Sequence, residues 1–164
     1  EALPDDATVT FSTFATNVQP GEAAPKNKVL AHLRVCEKVA VGSTSLYDAI
    51  VMATSEGVGA ASKRTIVIVT DGTDTCSAHT RTDAQVALAK FQRHPAHRVL
   101  FLGSNQDAVI SGQALGIPVG GALTYGTEPG LAISACRAAS SSMARERTGQ
   151  DARFTRAERA FTVR

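Results

Sequence analysis

The most informative stretch of this chain reads Thr65-Ile66-Val67-Ile68-Val69-Thr70-Asp71-Gly72-Thr73-Asp74. Its first five residues are all β-branched, and Lys63-Arg64 stands immediately before them. An unbroken apolar run of this kind is typical of a strand that is buried on both faces of a parallel sheet. The run ends at an acid and a glycine. Because ligands of open parallel sheets bind at the carboxyl ends of the strands, Asp71 is a candidate functional residue.

Composition excludes several classes of protein. The 164 residues suit one domain, and 43% apolar with 20% charged residues describe an ordinary globular chain. The formal net charge of +2 gives no reason to expect nucleic acid or an anionic membrane as partner. No apolar run approaches the roughly 18 residues that a membrane span needs.

Cysteine usage indicates the compartment. The three cysteines are odd in number, far apart and without Cys-x-x-Cys spacing (Cys36, Cys76 and Cys136). This pattern favours reduced structural thiols over disulfides or a zinc site. The chain begins at Glu1 without a signal-peptide pattern. We therefore expect a cytoplasmic location, or one within a viral particle.

Strand and helix signals alternate along the chain. Strands are predicted at 7–15, 65–70, 98–103 and 117–119, with a short edge strand at 32–41; loops are predicted at 17–28 and 122–126. Helices are predicted from Leu46, at 81–93, at 105–115 and from Pro129 to about Arg147. This order indicates an α/β fold with a doubly wound, mostly parallel sheet and helices on both faces. Residues 148–164 are predicted to form a basic tail or helix.

Two polar elements are expected to meet at the carboxyl edge of this sheet. One is Gly42-Ser43-Thr44, before the first helix, and the other is Asp71-Gly72. A hydroxyl and a carboxylate together suit a hard cation such as Mg²⁺. Taken separately, Ser43 and Thr44 are interpreted as helix caps and Asp71 as a turn residue. The sequence leaves both interpretations open.

The same two elements carry a family resemblance. Two segments together resemble a von Willebrand factor type A domain, and in particular the single-domain bacterial and viral members. They are Gly-Ser-Thr-Ser-Leu-Tyr-Asp-Ala-Ile at 42–50 and Ile-Val-Ile-Val-Thr-Asp-Gly at 66–72. Further similarity lies at 8–14, in Phe101-Leu-Gly-Ser-Asn-Gln-Asp-Ala and at 122–125. The resemblance covers about residues 3–145, so the domain is placed at 1–147.

The resemblance implies a metal-ion-dependent adhesion site. In this family an Asp-x-Ser-x-Ser motif, a Thr and an Asp surround the ion; by position Thr44 matches the Thr and Asp71 the Asp. Ser43, Gly72, Thr73 and Asp74 are the neighbouring candidates for ligand binding. The Asp-x-Ser-x-Ser motif is absent from this sequence. A divalent cation, Mg²⁺ or another, is therefore expected only if the missing motif is supplied, and an acidic side chain of a protein partner would fill its open position.

The missing motif belongs to the family's first, central strand, which lies between the strand at 8–14 and the one at 65–70. Without that strand, inner strands would leave backbone groups unpaired. The resemblance thus implies a domain that is incomplete at its N-terminus. An upstream strand–helix unit of roughly 30 residues is the expected complement. It would be a cleaved segment or a part of another chain.

Two other functions compete with a non-enzymatic protein-binding module. Members of this family without the motif act as scaffolds, so a metal-free structural or assembly component, of a virion or a multi-subunit complex, is the alternative. An α/β hydrolase or phosphatase ranks third. Residues 71–74 resemble part of a phosphatase motif, but Val69 stands at the position of that motif's nucleophilic Asp. We predict that the protein is not an enzyme. Of the four histidines, His94 and His97 flank a proline turn and are interpreted as surface residues, and Cys76 is interpreted as a packed one.

Overall fold

The computed structural model describes residues 7–25, 42–55, 63–104, 107–128 and 130–163. In chain order the elements are β1 (Thr8–Thr10), β2 (Thr13–Phe14), β3 (Val18–Gln19), β4 (Ala23–Pro25), α1 (Leu46–Ser55), β5 (Arg64–Thr70), α2 (Arg81–Gln92), β6 (His97–Ser104), α3 (Ala108–Ala114), a 3₁₀ turn (Val119–Gly121), β7 (Ala122–Tyr125), α4 (Leu131–Arg147) and α5 (Arg156–Phe161). None of the described helices is both long and apolar enough to cross a membrane.

A three-stranded sheet in the order β5-β6-β7 is the centre of the molecule. Both strand pairs are parallel, with Arg64 opposite His97 at one end of the first pair and Phe101 opposite Ala122 in the second. Helices connect consecutive strands, as parallel pairing requires. The predicted α/β class with a parallel sheet is therefore confirmed at this coarse level.

The sheet carries a hydrophobic core on each face, because successive side chains of β6 point to opposite sides. Val99 and Phe101 join a core formed with residues of α1, α2 and α3. Leu100 and Leu102 join a second core, formed with α4 and Phe154. All four β6 side chains are 2% exposed or less. The prediction of helices on both faces agrees with this arrangement.

β5 departs from the prediction that it is buried on both faces. Ile68 is 7% exposed and lies in the first core, but Val67 and Val69 on the other face are 38% and 42% exposed. Their neighbours in register, Leu100 and Leu102, are fully buried. Within the described ranges β5 pairs only with β6, so its outer side has no neighbouring strand. The expectation that both faces of β5 are buried is therefore wrong for the described residues, which cover only the face that carries Ile68.

The N-terminal segment folds as a bent antiparallel hairpin. The predicted single strand at 7–15 is divided into β1 and β2, and the predicted loop at 17–28 contains β3 and β4. β1 pairs with β4 and β2 with β3, and neither pair joins the central sheet. Phe14 packs against the first core. The edge strand predicted at 32–41 falls outside the described residues.

Two predictions in the C-terminal half were wrong. The short strand expected at 117–119 is absent from the described structure, and a 3₁₀ turn occupies Val119–Gly121 instead. The segment Ala122–Tyr125, predicted as a loop, is strand β7, and its two apolar side chains Leu123 and Tyr125 lie in the second core. β7 is only four residues long, and it is fixed by contacts with residues far along the chain.

The C-terminal segment supplies those contacts. Phe154 is 5% exposed and its N–H donates to Gly120 O at 2.9 Å. Thr162 is 1% exposed and accepts from the N–H of Gly126 at 2.7 Å, while its hydroxyl donates to Thr124 O at 2.7 Å. Residues 148–163 therefore contain a helix, α5, whose flanking residues bond to the turn before β7 at one end and to β7 and Gly126 at the other.

Candidate functional site

The turn after β5 brings two predicted site residues together. A Cβ built on Gly72 would lie 3.4 Å from Thr44 Oγ1, so the Thr44 hydroxyl stands directly beside the Asp71-Gly72 turn. Thr70 closes this turn, because its hydroxyl donates to Gly72 O at 2.9 Å and accepts from Gly72 N–H at 3.3 Å. Asp71 itself is exposed. A hydroxyl and a carboxylate thus share the carboxyl edge of β5.

The backbone of Thr44 is fixed by the loop that follows β5. Its N–H donates to Thr75 Oγ1 at 2.7 Å, and its carbonyl accepts from the N–H groups of Thr75 and Cys76 at 2.8 and 3.3 Å. These bonds tie the start of α1 to residues more than 30 positions later. Cys76, interpreted from sequence as packed, is exposed here. Sequence reasoning missed Thr75, whose only signal is its place in a polar loop.

Asp74 serves the N-terminus of α1. Its Oδ1 accepts from the N–H of Tyr47 at 3.2 Å and from the hydroxyl of Ser77. Ser77 Oγ also accepts from the N–H groups of Tyr47 and Asp48, at 3.0 and 3.1 Å. A carboxylate at this position satisfies backbone donors and complements the positive end of the helix. Asp74 is therefore a helix cap supplied from a distant loop, where the sequence predicted a ligand-binding residue.

Asp48 completes the attachment of this loop to α1. Its carboxylate accepts from the N–H groups of Ala78 and His79 at 3.0 and 2.9 Å, and His79 Nδ1 lies 2.7 Å from Oδ1. Burial raises the pKa of Asp48, but these hydrogen bonds outweigh it and hold the pKa below its usual value. The ionised carboxylate therefore anchors the loop. Sequence reasoning missed this residue, which lies inside a helix pattern.

The remaining predicted residues contribute less. Ser43 and Thr73 are exposed, and neither makes a hydrogen bond within the described part of the chain. Gly72 lies against the Thr44 hydroxyl, where an added Cβ would make an ordinary van der Waals contact at 3.4 Å. The structure thus groups Thr44, Asp71 and Gly72, and gives Asp74 a structural role.

Two further side chains border the site. Tyr125, at the end of β7, is buried, and this burial together with the Asp71 carboxylate raises the pKa of its hydroxyl. Ser45 is fully buried, and its hydroxyl has no hydrogen-bond partner among the described residues. Its backbone N–H donates to Ala15 O at 2.7 Å, which attaches the hairpin to the start of α1. A buried hydroxyl normally has a hydrogen-bond partner, and for Ser45 a water molecule or a residue outside the described ranges can supply it.

The oxygens present are of the type that Mg²⁺ binds, but they are few. Thr44 and Asp71 supply one hydroxyl and one carboxylate, whereas Mg²⁺ prefers octahedral coordination by oxygen. No cluster of three or more His, Cys, Asp or Glu side chains suited to a metal occurs among the described residues. These residues therefore fit one side of a cation shell and require further ligands.

Comparison of the chain with protein-family models, with curated proteins and with solved structures finds no match. The family resemblance therefore rests on the motifs at 42–50 and 66–72 themselves.

Proposed function

We propose that the chain is a non-enzymatic protein-binding module of the von Willebrand factor type A kind, with a partial metal-ion-dependent adhesion site. The observation that carries this proposal is the position of the Thr44 hydroxyl beside the Asp71-Gly72 turn. Thr44 and Asp71 bind Mg²⁺ directly or through water. A further segment, upstream or from another chain, supplies the remaining ligand oxygens. The ion supplies a Lewis-acidic position that an acidic side chain of the partner protein occupies.

Among the described residues no strand pairs with the outer side of β5, and this supports the same proposal. A strand added beside β5 would end at the same carboxyl edge as Asp71, since parallel strands share their direction. A helix following that strand would cover the exposed Val67 and Val69. The buried hydroxyl of Ser45, near the same edge, lacks a partner among the described residues. An upstream strand–helix segment, cleaved or from another chain, is the proposed complement.

Calorimetric titration of Mg²⁺ into the full-length protein tests the metal site. We expect saturable binding that is lost in Asp71→Ala and weakened at least about tenfold in Thr44→Val, because each change removes one ligand oxygen. Thr73→Val is the matched control, since Thr73 is exposed and makes no hydrogen bond within the described residues. Absence of Mg²⁺ binding in the full-length wild type would refute the metal site.

One observation favours a second candidate, a metal-free structural or assembly component of a virion or a multi-subunit complex. The apolar edge strand and its two exposed valines are suited to association with another chain, whether or not an ion is bound. Under this alternative, partner binding would survive chelation by EDTA and the Asp71→Ala change. Partner binding that requires Mg²⁺ would exclude it.

A further inference from the structure

The loop that follows β5 holds the backbone of Thr44 mainly through Thr75. The Thr75 hydroxyl oxygen accepts from Thr44 N–H at 2.7 Å, and it is the one partner of that N–H among the described residues. Thr44 O accepts from the N–H groups of Thr75 and Cys76 at 2.8 and 3.3 Å. Because a residue has only two soft backbone torsions, hydrogen bonds on its N–H and its C=O together restrict both torsions and fix the direction of its Cβ.

The orientation of the Thr44 hydroxyl follows from this backbone. Threonine branches at Cβ and is limited to a few staggered positions about χ1, so a fixed Cβ leaves the hydroxyl few places to lie. In the structure the hydroxyl lies beside the Asp71-Gly72 turn, 3.4 Å from a Cβ built on Gly72. Thr70 holds that turn through its two hydrogen bonds to Gly72. The hydroxyl and the turn are therefore each held in place by another threonine.

The attachment of the loop to α1 does not depend on the Thr75 hydroxyl. Tyr47 N–H, at the start of the helix, donates to Asp74 Oδ1 at 3.2 Å and to Ser77 Oγ at 3.0 Å. Thr75 is exposed, so water can replace its hydroxyl at Thr44 N–H without leaving a buried donor unpaired. The Thr75 hydroxyl therefore contributes to the orientation of Thr44 rather than to the capping of α1.

We propose that Thr75 is a positioning residue of the cation site, which holds the Thr44 backbone so that the Thr44 hydroxyl stays beside the Asp71-Gly72 turn. This role rests on the proposed function, in which Thr44 and Asp71 are ligands of Mg²⁺. Thr75 does not bind the ion and acts through Thr44. A ligand group that is already held in place loses less conformational freedom when the ion binds, so the support of a ligand raises the affinity of the site.

Amide hydrogen exchange in the metal-free protein tests the hydrogen bond itself. It is measured by NMR on the full-length protein in EDTA. We expect the Thr44 amide to exchange at least about fivefold faster in Thr75→Val, which removes the hydroxyl, and within about twofold of the wild-type rate in Thr75→Ser, which keeps it. The Tyr47 amide, which Asp74 and Ser77 hold, keeps its wild-type rate in both variants.

Calorimetric titration of Mg²⁺ into the same full-length proteins tests the positioning role. We expect Thr75→Val to weaken Mg²⁺ binding about fivefold, whereas Thr75→Ser and the matched control Thr73→Val change it less than about twofold. In a Thr44→Val background, Thr75→Val has no further effect, because no hydroxyl remains to be positioned. A purely structural role of Thr75 would weaken binding equally in both backgrounds. Circular dichroism verifies that each variant is folded.

The positioning role would be overturned, with the cation site intact, if the wild type bound Mg²⁺ and Thr75→Val left either that affinity or the Thr44 exchange rate unchanged. Equal acceleration of exchange at Thr44 and Tyr47 would also overturn it, because it would indicate a general loosening of the loop. The same holds for equal weakening of Mg²⁺ binding by Thr75→Val and Thr75→Ser, or by Thr75→Val with and without the Thr44 hydroxyl. Absence of Mg²⁺ binding in the wild type would refute the cation site and the role of Thr75 together.

Discussion

Asp71 and Asp74 are three residues apart and have different roles. Asp71 is exposed in the turn whose next residue, Gly72, lies against the Thr44 hydroxyl, and it makes no protein hydrogen bond within the described residues, so its carboxylate remains available to a ligand. Asp74 accepts from Tyr47 N–H and Ser77 Oγ, and its carboxylate is therefore committed to the start of α1. Mutations at the two positions should separate ligand binding from stability.

We predict that Asp74→Ala lowers the free energy of unfolding by about 1–2 kcal/mol, because it removes the cap of α1. Asp71→Ala should change it by less than about 0.5 kcal/mol, as expected for an exposed side chain away from any such feature. Urea unfolding followed by circular dichroism measures both values. Equal destabilisation by the two changes would contradict the assignment of different roles.

At this scale the sequence predicted where two candidate site residues lie, but not which side chains hold them in place. The meeting of Thr44 with Asp71-Gly72 was predictable, since the carboxyl ends of parallel strands and the helix starts beside them share one edge of a sheet. The capping role of Asp74 was not, because its partner Tyr47 lies 27 residues earlier and the side chain reaches it only through the folded loop. For the same reason the anchoring role of Asp48 had no local signal.

Among the elements, β5 shows most clearly what a sequence pattern can establish. The β-branched run at 65–69 correctly predicted a strand, which the structure places at Arg64–Thr70. The same pattern indicated burial on both faces, yet Val67 and Val69 are partly exposed. A sequence pattern indicates which side chains suit burial. Whether they are buried depends on a neighbouring element that covers them. The described residues provide such an element on only one face of β5.

A matched pair of substitutions on β5 tests this difference between its faces. Ile68→Ala should cost about 2–4 kcal/mol, because Ile68 is 7% exposed and contacts the core shared with α1 and α2. Val69→Ala, next along the strand and 42% exposed, should cost less than about 1 kcal/mol. Thermal and urea unfolding of both variants measure the two costs. If Val69→Ala cost as much as Ile68→Ala, the second face of β5 would be covered.

β7 and the N-terminal hairpin show where local sequence signals fail. Ala122–Tyr125 is short and follows two glycines, so its pattern resembles a loop. It becomes a strand because β6 pairs with it and because Thr162, 38 residues later, bonds to Thr124. In the hairpin, two- and three-residue strands are too short for a periodic signal. Pairing partners decide these elements: residues far along the chain for β7, and antiparallel pairing within residues 8–25 for the hairpin.

At the scale of the whole molecule, the two cores differ in completeness. The first is enclosed by α1, α2 and α3, with Phe14 of the hairpin packed against it. The second is covered by α4 and Phe154 over β6 and β7, and it stops short of β5. That uncovered surface lies beside the outer side of β5, with which no described strand pairs. One additional strand with its helix would complete both the sheet and the second core, and its end would lie at the Asp71 edge.

Hydrogen exchange of the β5 amides tests whether such a unit is present. In a parallel ladder alternate residues direct their N–H groups to opposite sides, so a strand with one neighbour leaves about half of its amides unpaired. For residues 1–164 alone we expect alternating fast and slow exchange along Thr65–Thr70, whereas the amides of Leu102 and Gly103 in β6, which has neighbours on both sides, stay slow. In the full-length protein every β5 amide should become slow if an upstream segment pairs with this edge. Uniform protection of β5 in residues 1–164 alone would contradict the free edge, and alternation that persists in the full-length protein would refute completion from within the same chain.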